Sequence, residues 1–318
     1  MTFLKQEWND VSMKPLKKRF KNNLIYAFIL VVVKMIRWLP RRVAIGGMRG
    51  LARLAFVLAK KEREKTIYHL ETSLPEKTSE SKQLARGVFM TLATAAVDAI
   101  RIPNYLPDGL NRLVQVKGRH YLDQATENGK GVIVLTGHFG CWELMGAWLA
   151  NNGYPLKVVA KPTYDPRLDK MIVDTRNAAG YTNIARGKNT REIIRALKEG
   201  YSLALLVDQD TSVQGVFVKF FGQWAHTATS PVTLAQKFNV EIVPMFLALK
   251  PDFKYELVIE PPIELQTTDD KECDLILNTQ RVSDAYERII RAYPDQWAWM
   301  HERWKKQPAE QEIAKYPC

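Results

Sequence analysis

The 318-residue sequence is poor in cysteine: Cys141, Cys273 and Cys318 are the only three, and they show neither metal-ligand spacing nor the pattern of a disulfide framework. That usage suits a reducing compartment. No His-Glu-x-x-His run and no recognisable cofactor motif is present, so a metallohydrolase has nothing to build on, and neither metal nor cofactor is expected. Long apolar runs are also missing. The longest unbroken one, LIYAFILVVV at 24–33, is ten residues, short of the ~20 that a confident spanning helix needs. No small-residue cleavage site follows it, which argues against a secretory signal, and no internal repeat or low-complexity linker occurs. Acidic residues are scarce at one end: positions 1–70 hold 4 Asp/Glu against 16 Lys/Arg, while the rest of the chain balances 30 against 30. The whole net charge of +12 therefore sits at the N-terminus. Nucleic-acid enzymes spread basic residues over a working face, so nucleic acid is not expected as a partner. A basic block beside an apolar run fits attraction to anionic lipid headgroups.

The length and an apolar content of 46% permit a large core. The expected organisation is a basic tail at 1–21, a membrane-anchoring helix at 22–40, a helical cover at 41–110, an α/β body at 111–306 and a tail at 307–318. Lys34 and Arg37 can snorkel to an interface and Trp38 can anchor there, so a short span, an in-plane helix and a buried core helix all remain open. Basic residues flank the run on both sides and fix no orientation.

The centre of the chain is GVIVLTGHFGCWELMGAWLANNG, at 131–153. A buried β-strand is expected at 132–136, a turn at Gly-His-Phe-Gly, and an amphipathic helix from Trp142 to about Asn152. This places His138 on a loop and Glu143 in the helix's first turn. On one continuous helix, residues five apart point roughly 140° away from each other. Across a loop-to-helix junction, the Glu143 carboxylate can instead reach back to one imidazole nitrogen and leave the other as a base. The residue types equally admit a bland arrangement, with His138 capping the helix and Glu143 complementing its dipole. Cys141 is expected to be a packed thiol rather than a nucleophile.

Further strands are expected at 156–160, 203–207, 241–249 and 255–259, and helices at 79–100, 165–178, 230–238 and 274–292, with a capped helix start at Asn189. The strand at 203–207 discharges Asp208-Gln209-Asp210 into a loop. Carboxyl ends of strands are where open α/β sheets bind ligands, although acidic residues there also cap the next element. Phe217, Phe220, Phe221 and Trp224 fit a core cluster better than an acyl-binding surface. His301 fits a packed residue better than a second base.

His138-Phe139-Gly140-Cys141-Trp142-Glu143 at a strand end resembles the His-x-x-x-x-Glu motif of the lysophospholipid acyltransferase superfamily, in the variant of the late-acting lipid A acyltransferases. Arg176 ahead of Gly180, Arg186-Gly187, Asp208-Gln209-Asp210, the Phe220-Phe221-Gly222 turn and the closing Pro294-Asp295-Gln296-Trp297 to His301-Glu302-Arg303 signature extend the resemblance over roughly 20–306. The resemblance implies a mixed central sheet flanked by helices, glycerolipid acyltransferase-like, with an N-terminal membrane-anchoring helix. It implies catalysis by His138 and Glu143, with an arginine (Arg176 or Arg186) and Asp208, Gln209 and Asp210 at the substrate. An oxyanion site of backbone N–H groups at Phe139 and Gly140 is expected at the helix N-terminus. By resemblance the donor is acyl carrier protein and the acceptor a hydroxyl of a Kdo-bearing lipid A precursor, at the cytoplasmic face of a bacterial inner membrane. The rivals are acylation of another glycolipid, such as a phosphatidylinositol mannoside, or of a lysophospholipid, and a non-catalytic membrane-tethered lipid-binding protein.

Overall fold

The computed structural model describes residues 2–127, 129–186, 190–210, 212–314 and 316, with side chains from residue 19 onward. The expected cap at Asn189, Gly187 and Cys318 lie outside the described residues. The N-terminal third is helical: α1 (Thr2–Trp38), α2 (Arg41–Leu58), α3 (Lys60–Ser73) and α4 (Ser81–Ile100). The expected tail at 1–21 and anchor at 22–40 run together as one continuous helix over Thr2–Trp38. No helix among the described residues is long and apolar enough to cross a membrane. Among the described side chains of α1, only Val33 and Ile36 are buried, whereas Leu24, Phe28, Val31, Met35 and Trp38 are exposed, as are Val43, Leu51, Leu54 and Val57 of α2.

The cover is fastened to the body by polar contacts. The buried Asp98 carboxylate on α4 accepts from the Arg41 guanidinium at 2.8 and 2.7 Å and from the Tyr105 and Tyr255 hydroxyls at 2.6 and 2.7 Å. Arg101 donates to the carbonyls of Ile36 and Leu39 at 2.5 and 2.6 Å, capping the end of α1.

The body is a seven-stranded sheet of β1 (Val114–Lys117), β2 (Ile133–Thr136), β3 (Leu156–Ala160), β4 (Thr182–Ala185), β5 (Ser202–Leu206), β8 (Ile242–Leu249) and β9 (Tyr255–Ile259), in the order β1-β9-β8-β2-β5-β3-β4. Only β8–β9 is antiparallel, which makes the sheet mixed. A separate hairpin, β6 (Gly215–Phe220) with β7 (Gln223–Ala228), is bonded to the last long helix through Gln280 and Ser283. The remaining helices of eight residues or more are α5 (Arg119–Thr126), α6 (Trp142–Asn151), α7 (Pro166–Ala178), α8 (Thr190–Lys198), α9 (Ser230–Phe238) and α10 (Lys271–Ala292). Asp165 caps α7 and Asp270 caps α10, each accepting a first-turn N–H at 3.0 Å. That cap starts α10 three residues before the helix expected at 274–292.

Every residue of β2 is buried. Ile133 and Leu135 join the core shared with Val282 and Ile289 of α10, while Val134 joins the core shared with Leu144 and Leu149 of α6. A strand apolar on both faces between helical layers is the parallel-sheet pattern. Cys141 is a buried free thiol whose burial pushes it well above the ordinary thiol range; it is a packed residue, as expected. Cys273 is disulfide-bonded, which the spacing of the cysteines did not lead one to expect.

Candidate active site

Strands β2 and β5 are parallel neighbours, with Thr136 opposite Leu206. Two residues beyond each strand, the same register brings His138 level with Asp208. The Asp208 carboxylate accepts from His138 Nδ1 at 3.0 Å and from the His138 backbone N–H at 2.8 Å. Trp297 Nε1 donates a third bond at 2.9 Å. The approach needs a glycine at 137, where a Cβ would lie 3.0 Å from both the Asp208 carboxyl and the Tyr286 ring. Gly140 turns the chain into α6 with φ +51°, and a Cβ there would overlap the Leu247 carbonyl.

The electrostatics follow from this geometry. Burial alone would raise the Asp208 carboxyl, but the facing imidazole and the donors from His138 and Trp297 hold it at about 2. Burial alone would lower His138, and the Asp208 charge and hydrogen bond outweigh it, so the imidazole sits above its ordinary value. With Nδ1–H donating to the carboxylate, Nε2 is left free to accept a proton.

The expected contact between Glu143 and the imidazole is not made. Glu143 accepts from Arg176 Nε at 2.9 Å, from Arg176 Nη2, and from the Tyr181 hydroxyl at 2.9 Å. Arg176 Nη1 donates to Asn183 Oδ1 at 2.8 Å. Glu143 therefore ties α6 to α7 and β4, and Arg176, expected at the substrate, spends its fork on Glu143. The rotation of α6 explains the change: its first turn faces α7 rather than the loop. The carboxylate on His138 is Asp208, which the sequence placed at the substrate.

The loop's backbone donors are also engaged. Phe139 N–H donates to the Gly137 carbonyl at 2.7 Å, Gly140 N–H to the Gln296 carbonyl at 2.9 Å and Cys141 N–H to the Leu247 carbonyl at 3.3 Å. An oxyanion site at Phe139 and Gly140 is thus not available, because a tight buried turn must satisfy its own N–H groups. The Gln296 contact belongs to a larger one: Ala298 N–H donates to the His138 carbonyl at 3.0 Å, and Phe139 and Trp297 form a β-bridge. The C-terminal signature is stitched onto the His138 loop. Its motif was legible in the sequence, but Trp297 as a donor to Asp208 was not.

A cleft of about 910 Å³ opens at His138, lined by Met145, Leu156, Val158, Ala204 and Leu206 in its apolar part and by Lys161, Arg186 and Gln209 among its polar residues. A smaller cavity of about 340 Å³ shares Gln209 and Asp210 and is lined by His301 and Lys305. The His301 ring meets His138 edge-on at 5.2 Å. Burial and the neighbouring His138 lower the His301 imidazole below its ordinary value. Asp210 is paired with Lys306 at 3.1 Å and lies 3.5 Å from His226 Nδ1. Of the expected substrate residues, Arg186, Gln209 and Asp210 face the cleft; Arg176 also lines it, with its donors turned to Glu143 and Asn183. The Phe220 and Phe221 rings are core.

Comparison with known proteins gives one consistent picture. The profile of the bacterial lipid A biosynthesis acyltransferase family matches residues 13–306. A lipid A biosynthesis acyltransferase of Haemophilus influenzae is 24% identical over 245 residues, 76% of this chain and 75% of the relative. A lipid A biosynthesis lauroyltransferase of Escherichia coli is 26% identical over 264 residues, covering 81% and 84%. A phosphatidylinositol mannoside acyltransferase of Mycolicibacterium smegmatis is 24% identical over 225 residues, covering 70% and 72%.

Proposed function

The chain belongs to the bacterial lipid A biosynthesis acyltransferase family, and from that premise we propose that it moves a fatty acyl chain from an acyl thioester to a hydroxyl of a lipid A precursor or related glycolipid. The observation that carries this reading is an imidazole fixed at Nδ1 by a buried carboxylate, at the head of a mainly apolar cleft of about 910 Å³.

Nε2 of His138 removes the proton of the acceptor hydroxyl as its oxygen attacks the thioester carbonyl. Asp208 fixes the ring and stabilises the imidazolium, which then returns the proton to the departing thiolate. No acyl-enzyme forms, and the buried Cys141 takes no part. The first-turn N–H groups of Trp142 and Glu143, on a helix without a side-chain cap, lie at the positive end of α6 and serve the developing oxyanion. The acyl chain lies along Met145, Leu156 and Val158. Arg186, Lys161 and Gln209 receive the phosphates and sugar hydroxyls of an acidic glycolipid. Acyl carrier protein is the donor, an acidic partner for a basic chain, and the exposed apolar residues of α1 and α2 with their basic neighbours hold the enzyme on the inner membrane with the site on the cytoplasmic side.

The test is transfer from acyl carrier proteins of several chain lengths to a radiolabelled, Kdo-bearing lipid A precursor, with a phosphatidylinositol mannoside as a parallel acceptor. Acylation of the lipid A precursor that disappears in folded His138→Ala supports the proposal. Acylation of the mannoside alone would transfer the mechanism to the other acceptor class, and full activity of His138→Ala would end it.

A further inference from the structure

Arg303 lies just behind the site and has no ordinary explanation. Its side chain is 1% exposed, and among the described residues no carboxylate lies within 4.0 Å of it to form an ion pair. Nη1 donates to the His226 carbonyl and Nη2 to Thr227 Oγ1, both at 2.5 Å, while Nε is buried without a partner. Burying a cation on neutral acceptors alone is strongly unfavourable. Burial brings the guanidinium down to about 10, so it remains charged at neutral pH.

The charge does have carboxylates to answer. Against burial, which lowers it, the charges that favour the Arg303 cation at neutral pH are those of Asp208 first and then Asp210. Aromatic rings connect the two: Phe220 meets the Trp297 ring at 5.5 Å, and the Arg303 guanidinium carbon lies 5.0 Å from the Phe220 ring. Trp297 is the indole that donates to Asp208. We propose that Arg303 is the buried counter-cation of Asp208, a positioning residue that acts through that carboxylate to limit how firmly it holds a proton on His138.

The electrostatic reason is specific to a dry site. A buried carboxylate facing one imidazole, with no other cation near, draws a proton onto the ring and holds it there, and an imidazolium is no base. A second, fixed positive charge supplies the balance while His138 is neutral. The other charged or titratable groups around the pair do not supply it. Asp210 is taken up by Lys306, the imidazoles of His226 and His301 are lowered by burial, Tyr286 is kept protonated by burial, and Glu143 is paired with Arg176. Once His138 gains a proton the group carries a surplus positive charge, which favours its return to the leaving thiolate.

The inference rests on His138 as the base, so its test uses readouts that do not depend on turnover. Titration of the His138 imidazole by NMR should show its midpoint move up by about one pH unit in Arg303→Met relative to wild type. In thermal unfolding, Asp208→Asn should melt below wild type, and adding Arg303→Met to it should raise the midpoint again by removing a charge left uncompensated. An unchanged His138 titration, or a double variant that melts below or fails to fold beside Asp208→Asn, would overturn the proposal. It would also show that Arg303 merely ties β7 to the C-terminal segment. If Arg303→Met alone is too unstable to titrate, the comparison of Asp208→Asn with the double variant decides.

Discussion

Asp208 accepts three hydrogen bonds in a fully buried position, from the His138 ring, the His138 backbone and Trp297. Each donor favours the charged carboxylate, and only the ring proton is chemically active. Trp297→Phe removes one buried donor and keeps the packing. Its expected effect is about a tenfold lower kcat with KM unchanged, since a hydrogen bond to a charged group is worth about 1.5–3 kcal/mol; steady-state kinetics at saturating donor checks it. Because His138 sits above its ordinary 6.5, the base is lost to protonation on the acid side. The acid limb of kcat/KM should therefore fall through a value above 6.5, and a limb well below it would contradict the pairing. The stability contributions have opposite signs. The lowered Asp208 stabilises the fold above its ordinary 3.8, an effect lost as pH falls toward about 2; the raised His138 contributes below 6.5, an effect lost as pH rises through its folded value. The sequence placed His138 and Asp208 at strand ends but gave their carboxylate–imidazole contact to Glu143, because local spacing carries no information on which strands are neighbours.

The elements around the site have separable roles. Helix α6 delivers Glu143 to Arg176, and through Asn183 and Tyr181 the pair fixes α7 and β4 against it. Glu143→Ala leaves a largely buried guanidinium without its carboxylate. It should lower unfolding free energy by about 3–5 kcal/mol, measured by urea denaturation, and Glu143→Ala/Arg176→Met should recover part of that loss. A folded Glu143→Ala of wild-type stability would contradict the role assigned to the pair. Strand β2 and helix α6 were legible from the apolar run of Ile133–Leu135 and the helical spacing of Leu144, Met145 and Trp148. The rotation of α6 about its axis was not, since it depends on where Arg176 of α7 and Tyr181, just ahead of β4, lie thirty-odd residues away. The engaged N–H groups of Gly140 and Cys141 were hidden for a similar reason: their acceptors, the Gln296 and Leu247 carbonyls, are brought in by the C-terminal segment and the sheet order.

At the scale of the whole molecule, the basic excess of residues 1–70 and the exposed apolar side chains of α1 and α2 lie in the same helices. Exposed Phe28, Val31, Met35, Leu54 and Val57, together with exposed Lys34, Arg42 and Arg53 on the same two helices, suit the interface of an anionic bilayer. Cosedimentation with vesicles should be strong when they contain anionic lipid and weak at high salt or with neutral lipid alone. Leu54→Asp/Val57→Asp should reduce binding several-fold without altering the thermal midpoint. The charge asymmetry that points to this face was plain in the sequence. Whether the apolar run would be buried, spanning or exposed was not, because that is settled by which side of α1 meets α2 and α4.

The most direct test is the turnover of Asp208→Asn, with folding verified by circular dichroism, in the acyl-transfer assay. The carboxylate that sets the His138 tautomer is the one whose loss should be felt in the chemical step. A fall in kcat on the order of 10³–10⁴-fold with KM little changed is the predicted result, and turnover near wild type in the folded variant would contradict it.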